Sequence, residues 1–240
     1  MSAHTLLTKV TRVILKADAV YRFARGHTEK YWLTKVKGVV HVGANHGQER
    51  TVYAHHGLRV VWVEAIPGVF RQLETNIQGY PGQRAVQAVL TDKDGEPVTF
   101  HLASNAGASS SIFEFSEHSR VWPEVETVEK LELTSTTLAT VMENEGIRGD
   151  AFQALVLDVQ GAELKVLKGA GAKLSEFRYL FVEAANFASY KGGCTLMEIE
   201  EFLLPLGFRQ VFKARFSLTI GVGSYFEVLY ENTRSPMSQQ

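Results

Sequence analysis

The sequence has little cysteine, little net charge and no long hydrophobic run, and each absence excludes a class of protein. Cys194 is the only cysteine, so no disulfide can form within the chain, and a reducing, cytoplasmic location is expected. The formal net charge is −1, which provides no strong field for nucleic acid or an anionic membrane, and we expect no nucleic-acid partner. No stretch approaches the roughly 18 apolar residues of a membrane span, so we expect no transmembrane segment.

The sequence also lacks a histidine–cysteine cluster with metal-ligand spacing, so a divalent metal is possible but not favoured. The first residues lack the continuous apolar stretch of a signal peptide, because charged residues interrupt it. Apolar residues there recur at helical spacing and predict an amphipathic helix within 1–35. This helix either packs on the domain or binds a membrane surface or a partner. Its apolar residues are Leu6, Val10, Val13, Ile14, Ala17 and Tyr21.

What is present is an ordinary globular composition, with 45% hydrophobic and 21% charged residues in 240, enough for one α/β domain. Buried-strand patterns at 58–63, 86–90, 154–159 and 179–184 alternate with helical patterns. The predicted helices run from the end of a strand at Val42 to about His56, from Pro67, and over 138–145 and 161–174. Further strands are predicted at 98–102, 131–136, 208–216 and 224–230, and Thr195 with Glu198 predicts a capping box for a helix at 196–204. This order predicts a doubly wound sheet with sites at the carboxyl ends of its strands.

A glycine-rich turn follows the first predicted strand. It reads Gly43-Ala44-Asn45-His46-Gly47, and such a turn before a helix presents backbone N–H groups to a ligand. The dinucleotide fingerprint requires a second glycine at the position of Asn45, so this turn fits a cofactor without phosphates better. The alternative is that the glycines serve only the geometry of the turn.

Acidic residues end the next two predicted strands. Glu64 lies 21 residues beyond Gly43, and its carboxylate suits bidentate hydrogen bonding to ribose hydroxyls. Asp92 either reaches an adenine amino group or belongs to the turn that follows it. The turn, Glu64 and the later Asp158 together indicate S-adenosylmethionine chemistry. The predicted cofactor-binding residues are Gly43, Ala44, Asn45, Gly47, Glu64, Ala65 and Asp92.

Three residues are candidates for the chemical step. Asp158 ends the 154–159 strand and is the first choice as the base, although it can equally cap the following helix. Glu183 ends the next strand and can join Asp158 in holding substrate hydroxyls or a cation. His118 has the better intrinsic pKa for a base, but a histidine in a loop is often plain surface. Glu163 and Lys165 are expected on the solvent side of their helix.

Residues 103–130 break the alternating pattern and predict an irregular insert on the substrate side. Asn105 and Ser110 supply hydrogen-bonding groups for a polar substrate, and Tyr190 and Trp122 supply rings for the apolar face of a sugar. Each of these side chains can equally be loop or core material. The acceptor itself cannot be read from these residues.

The motifs, taken in order, resemble the FkbM family of S-adenosylmethionine-dependent methyltransferases. The resemblance extends over about 39–229 and includes HVGANHGQE, WVEAIP, ASNAGASSSI, LVLDVQGAELKVLKGA and LFVEAANFASYKGGCTLMEIEEFL. It implies a class I methyltransferase fold of about seven strands, with an antiparallel C-terminal hairpin, and O-methylation of a sugar, glycan or natural product. We expect one methyltransferase domain at 36–232, followed by a flexible tail at 233–240.

The chain departs from this family at two positions. Many relatives carry glutamate where this chain has Gln160, and many carry aspartate where it has Ala139. We therefore expect that a negative charge at Gln160 is not essential to the chemistry and that no role rests on position 139. Other functions stay open: a nucleic-acid or protein methyltransferase, a nicotinamide oxidoreductase, or a non-catalytic binding protein with the cofactor fold.

Overall fold

The computed structural model describes residues 31–234, which form ten strands and six α-helices. The predicted amphipathic helix of 6–21 and the tail at 235–240 lie outside these residues. The strands are β1 (Gly38–Val42), β2 (Arg59–Glu64), β3 (Gln83–Gln87), β4 (Val89–Thr91), β5 (Pro97–Ala103), β6 (Thr127–Thr137), β7 (Ala154–Leu157), β8 (Tyr179–Ala185), β9 (Phe208–Thr219) and β10 (Gly223–Asn232). The helices are α1 (Arg50–His55), α2 (Pro67–Ile77), α3 (His118–Val121), α4 (Leu138–Asn144), α5 (Glu163–Ala170) and α6 (Leu196–Leu203).

Seven strands form the main sheet in the order β3-β2-β1-β7-β8-β10-β9. The first five in this order pair in parallel, and β10 pairs antiparallel with both β8 and β9. The predicted seven-stranded sheet with an antiparallel C-terminal hairpin is confirmed. From β1 the chain adds β2 and β3 on one side of the sheet, and it adds β7 and β8 on the other side. At this change of direction a crevice opens between the carboxyl ends of β1 and β7.

Both faces of the main sheet are covered, because successive side chains of a buried strand point to opposite faces. Val40 and Val42 pack with α4, α5 and α6 on one face. Val39 packs on the other face with Tyr53 of α1 and Leu73 of α2. The sheet is therefore doubly wound, as the alternation of helical and strand patterns predicted.

The predicted strand at 86–90 is wrong in its extent, because it is two strands in different sheets. β3 pairs with β2 only as far as Gln87, opposite Glu64, where β2 ends. The chain then leaves the main sheet, and β4 pairs with β6 in a second sheet of order β4-β6-β5. The antiparallel pairing of β5 with β6 makes this small sheet a wall beside the crevice.

Two predicted helix boundaries also differ from the structure. Residues 43–49 form turns, and α1 begins only at Arg50, because Gly43, Asn45 and Gly47 all have positive φ. The helix predicted at 161–174 begins at Glu163 and continues beyond Ala170 as a 3₁₀ turn. The capping box of Thr195 and Glu198 is confirmed at the start of α6.

Within residues 31–234, no helix is both long enough and apolar enough to cross a membrane.

Candidate functional site

A large cavity lies at the carboxyl ends of β1, β2 and β7, under the segment 107–112 of the insert. One part of its wall is polar, formed by Asn45, Gln48, Glu49, Glu64, Asp158 and Gln160. Another part is apolar, formed by Ile66, Ala88, Val89, Leu90, Phe100 and Ile112. A cavity with both kinds of wall suits a ligand that has a flat apolar ring and several hydroxyl or charged groups.

The glycine-rich turn lies against the end of β7. The N–H groups of Gly43 and Ala44 donate to the carbonyl oxygen of Val63, at 3.0 and 3.1 Å. Gly43 has a φ of +80°, and a Cβ added there would lie 1.8 Å from the carbonyl oxygen of Asp158. Only glycine therefore allows β1 and β7 to end side by side.

Three of the predicted turn residues, Gly43, Ala44 and Asn45, line the large cavity, and Gly47 does not. Asn45 has a φ of +45°, a left-handed conformation that asparagine tolerates better than most residues. Gly47 turns the chain toward α1, and a Cβ there would lie 2.7 Å from Leu73. The glycine at this position serves packing between the turn and α2, so its predicted contact with a cofactor is not supported.

Glu64 is held in a fixed orientation at the end of β2. Its Oε2 accepts from the backbone N–H of Asn45 and its Oε1 from that of Ile66, both at 2.8 Å. Burial raises the pKa of Glu64, and these backbone donors oppose the rise. Each carboxylate oxygen keeps a second lone pair for a ligand hydroxyl. Ala65, which follows Glu64, also lines the large cavity.

Asp158, the residue directly after β7, also lines the large cavity. Its Oδ1 accepts from Gln160 Nε2 at 2.6 Å. Burial, together with the nearby charge of Glu163, raises the pKa of Asp158 to about 7. A carboxyl group with this pKa exchanges protons readily at neutral pH, which an ordinary surface aspartate does not.

The prediction that Glu163 faces solvent is wrong, because only 1% of its surface is exposed. Its Oε1 accepts from the backbone N–H groups of Val159 and Gly161, at 3.1 and 3.2 Å. Its Oε2 accepts from the thiol of Cys194 at 3.4 Å. Glu163 thus holds the 158–161 turn in place. An acidic residue in the first turn of a helix that follows Gly161 was the sequence signal for this role.

Gln160 is the functional residue that the sequence reading missed. Its side chain donates to Asp158, and its Oε1 accepts from the hydroxyl of Tyr190 at 2.7 Å. Its carbonyl oxygen accepts from the hydroxyl of Ser111 at 2.7 Å. Its φ of +54° is unusual outside glycine, so these hydrogen bonds hold a strained residue in place. A polar residue directly before a glycine, at the end of a buried strand, was the available signal.

A smaller side cleft adjoins the large cavity, and Gln160 lines both. Glu183, at the end of β8, lines this side cleft rather than the large cavity, together with Ser189, Tyr190 and Tyr225. Tyr190 is buried, and its ring packs on Gly161, where a Cβ would lie 3.1 Å from it. Tyr190 therefore positions Gln160 and does not offer a free ring to a substrate.

Besides Gly47, three predicted site residues lie outside both cavities: His118, Asp92 and Asn105. His118 is fully buried against Phe115 and Tyr190, and burial lowers its pKa to about 4, so it is poorly suited to act as a base. Asp92 pairs with Lys165 at 2.7 Å, which keeps it outside the lining of the large cavity. The same ion pair holds Lys165, which was expected on the solvent side of its helix, against Asp92.

The insert residues predicted to bind substrate have different positions. Asn105 is exposed, and its side chain caps its own loop by hydrogen bonds to the hydroxyl and N–H of Ser109. Ser110 lines the large cavity, where its hydroxyl accepts from the N–H of Ala103 at 2.9 Å. Among residues 31–234, no group of three or more histidine, cysteine, aspartate or glutamate side chains is placed to hold a metal ion.

Comparison with known families gives one match, to the methyltransferase FkbM domain, over residues 41–210. The match begins in β1 and ends in β9, so it contains the glycine-rich turn, Glu64, Asp158 and Gln160. No curated protein matches the sequence.

Comparison with solved structures gives likeness at low identity. An uncharacterized protein from Listeria monocytogenes serotype 4b has a TM-score of 0.50 and 12% identity, over 86% of this chain and 66% of that chain. TrmK of M. capricolum, solved with S-adenosyl-homocysteine, has a TM-score of 0.49 and 5% identity, over 83% and 64% of the two chains. Fibrillarin of Aeropyrum pernix, solved with S-adenosyl-L-methionine, has a TM-score of 0.49 and 10% identity, over 82% and 67%. At such identities the likeness concerns the fold alone.

Proposed function

Because the chain belongs to the FkbM methyltransferase domain family, we propose that it transfers the methyl group of S-adenosylmethionine to a hydroxyl of a sugar, a glycan or a glycosylated natural product. The observation that carries the cofactor assignment is the clamped carboxylate of Glu64, which lines the large cavity together with Gly43. It is a fixed hydrogen-bond acceptor in the wall of a cavity that can hold a ligand.

The walls of the large cavity fit the parts of this cofactor. The free lone pairs of Glu64 would accept from the ribose hydroxyls. Ile66, Val89 and Leu90 would contact the adenine ring, which needs an apolar surface. The cofactor carries no phosphate, which agrees with Asn45 in place of the second fingerprint glycine. Bound there, S-adenosylmethionine supplies an electrophilic methyl group.

Asp158 is the proposed base for the acceptor hydroxyl. Gln160 donates to its Oδ1, and its Oδ2 would receive the proton of the acceptor hydroxyl. A hydroxyl is a poor nucleophile while protonated, and a carboxylate with a pKa of about 7 can take its proton at neutral pH. The rest of the rate enhancement comes from alignment of the acceptor oxygen, which can contribute about 7–11 kcal/mol.

Glu183 has a different proposed role, because it lines the side cleft. From there its carboxylate would accept hydrogen bonds from acceptor hydroxyls other than the one that reacts. Asn105, Asp92 and His118 have no part in this proposal.

Calorimetric titration of the full chain with S-adenosylmethionine, S-adenosylhomocysteine and NAD tests the cofactor assignment. We expect binding of the first two and none of NAD, and Glu64→Ala should weaken that binding by about tenfold or more, the loss of at least 1.4 kcal/mol. Glu74→Ala, an exposed glutamate of α2, is the matched control and should bind as the wild type does.

Two results would contradict the assignment. Binding of NAD alone would replace methyl transfer by oxidoreduction. An unchanged affinity in Glu64→Ala would remove Glu64 from the cofactor site. Methyl transfer to a hydroxyl is then tested by mass spectrometry with sugar, glycan and phenol acceptors, and transfer to phenols alone would overturn the carbohydrate acceptor.

A further inference from the structure

The charged side chains around the proposed base all have its own sign. Among residues 31–234, neither the large cavity nor the side cleft is lined by a lysine or an arginine. Burial raises the pKa of Asp158, and nearby carboxylates raise it further: Glu163 of α5, Glu49 before α1 and Glu64 at the end of β2. The other titratable groups that line the two cavities are His41, Glu183, Tyr190, Cys194 and Tyr225. The negative charge that a base must carry therefore depends on neutral hydrogen-bond donors.

Gln160 supplies a donor to Asp158. Its Nε2 lies 2.6 Å from Asp158 Oδ1, a short contact of the kind that a donor makes with a charged oxygen. An amide has one donating end and one accepting end, so the same side chain turned over would present its oxygen to Asp158 and favour the protonated form. The direction of this amide therefore decides whether it supports or opposes the charge of Asp158.

Tyr190 distinguishes the two directions of the amide. Its hydroxyl donates to Gln160 Oε1 at 2.7 Å, and the carbonyl oxygen of Ser109 accepts from it at 3.1 Å. Burial raises the pKa of Tyr190 well above its usual value, so this hydroxyl keeps its proton and acts as a donor. We infer that Tyr190 is a positioning residue: it holds the oxygen of the Gln160 amide, so that an N–H group faces Asp158 and the proposed base stays ionised. This inference rests on the proposed function.

The backbone of Gln160 is held by other contacts, which leaves the amide as its main freedom. The hydroxyl of Ser111 donates to the carbonyl oxygen of Gln160 at 2.7 Å, and the ring of Tyr190 packs on Gly161. These contacts keep Gln160 at its left-handed φ of +54°. The terminal torsion of a glutamine is broad and roughly two-fold, so packing alone does not fix it. The Tyr190 hydroxyl selects one of the two directions.

The test measures the pKa of Asp158 in the full chain, by ¹³C NMR of protein labelled at the carboxyl carbon of aspartate. The sequence has five aspartates, and Asp158→Asn identifies the signal of Asp158. We expect Gln160→Met to raise the pKa of Asp158 by about one unit or more, because a hydrogen bond to a charged group is lost. Tyr190→Phe should raise it by about half a unit or more, because the amide is then free to turn over.

A double variant separates positioning through Gln160 from a direct effect of Tyr190. When Tyr190→Phe is added to Gln160→Met, the pKa of Asp158 should rise no further than in Gln160→Met alone. Tyr179→Phe alters a buried tyrosine at the amino end of β8, and as the matched control it should leave the pKa of Asp158 unchanged.

Turnover should follow the same shift, measured with the first acceptor that the wild type methylates. In Tyr190→Phe the acidic limb of the pH profile should move to higher pH, and the rate should recover above that limb. A loss of rate that is equal at every pH would indicate a merely structural role and would overturn the inference.

The outcomes of the NMR titration are decisive even if a variant loses some stability. An unchanged or lowered pKa of Asp158 in Tyr190→Phe would overturn the inference. A further rise in the double variant would also overturn it, because Tyr190 would then act on Asp158 without Gln160. The titration needs neither cofactor nor acceptor, so its failure is distinct from that of the proposed function, which fails if the wild type does not bind S-adenosylhomocysteine.

Discussion

At the scale of single residues, the site depends on four polar side chains, those of Asp158, Gln160, Tyr190 and Glu163. Asp158 contacts Gln160, Gln160 contacts Tyr190, and Glu163 fixes the turn between them by two backbone hydrogen bonds. A buried network of this kind is stabilising only if each member is satisfied. Gln160 is satisfied in this sense, because its amide N–H donates to Asp158 and its amide oxygen accepts from Tyr190.

Asp158→Asn tests the chemical role at this scale. The amide keeps the shape of the side chain but cannot take a proton, so turnover should fall by at least about 100-fold. The dissociation constant for S-adenosylhomocysteine should stay within a few-fold. Turnover is measured with the first acceptor that the wild type methylates, and the dissociation constant is measured by calorimetric titration.

The control for that variant is Asp150→Asn, which alters an exposed aspartate paired with Arg148 and should leave turnover unchanged. If Asp158→Asn keeps most of the wild-type rate, Asp158 is not the base. If it loses binding of S-adenosylhomocysteine as well, Asp158 acts in binding the cofactor.

At the scale of elements, the close contact between the ends of β1 and β7 positions the site. Val39–Val42 of β1 pair with Ala154–Leu157 of β7, and the chain can then turn only because Gly43 has no side chain. The crevice between these two strands places the glycine-rich turn and Asp158 in the same wall. A change at this contact should therefore affect folding before it affects chemistry.

Gly43→Ala should destabilise the fold by about 2–5 kcal/mol, because it adds an overpacking cost to the strain of a positive φ. Gly57→Ala is the matched control, since Gly57 has a φ of +66° and no atom within 4 Å of an added Cβ. That variant carries only the backbone strain, about 1–2 kcal/mol. Urea unfolding measures both, and equal losses in the two variants would contradict a close contact between Gly43 and Asp158.

At the scale of the whole molecule, the topology of the sheet gathers carboxylates at one edge at a cost to stability. Folding raises the pKa of Asp158 from 3.8 to about 7, and burial raises those of Glu64 and Glu163 as well. Over roughly pH 4–7 the folded chain therefore holds protons that the unfolded chain has released. Stability contributed by these groups is present at low pH and falls as the pH rises through this window.

Asp158→Asn should remove part of this dependence, because an amide does not titrate. We expect its melting temperature to exceed that of the wild type at pH 8, and the difference to shrink toward pH 3, below the unfolded pKa of 3.8, where Asp158 is mostly protonated in both states. Scanning calorimetry at the two pH values measures the difference, and other carboxylates cancel in the comparison. A variant that is less stable than the wild type at pH 8 would contradict the rise in pKa.

Much of the fold and part of the site could be predicted from the sequence. The alternation of buried strands and helices predicted the doubly wound sheet, and the strand-end positions of Glu64 and Asp158 predicted that both line one cavity. These predictions hold because periodicity and strand ends are local properties. His118 and Asp92 were misplaced because Tyr190 and Lys165, which contact them, come from distant segments that no local pattern records. Asn105 instead bonds to Ser109 of its own loop.

The sequence by itself determined the class of fold, the site at the carboxyl ends of the strands and the capping of α6, because each follows from residues close together along the chain. Only the tertiary structure decided that Glu163 is buried and that Gln160 links Asp158 to Tyr190. Gln160 and Tyr190 lie 30 positions apart, and Glu163 and Cys194 lie 31 positions apart, so only the packing of the whole sheet with its insert brings these side chains together.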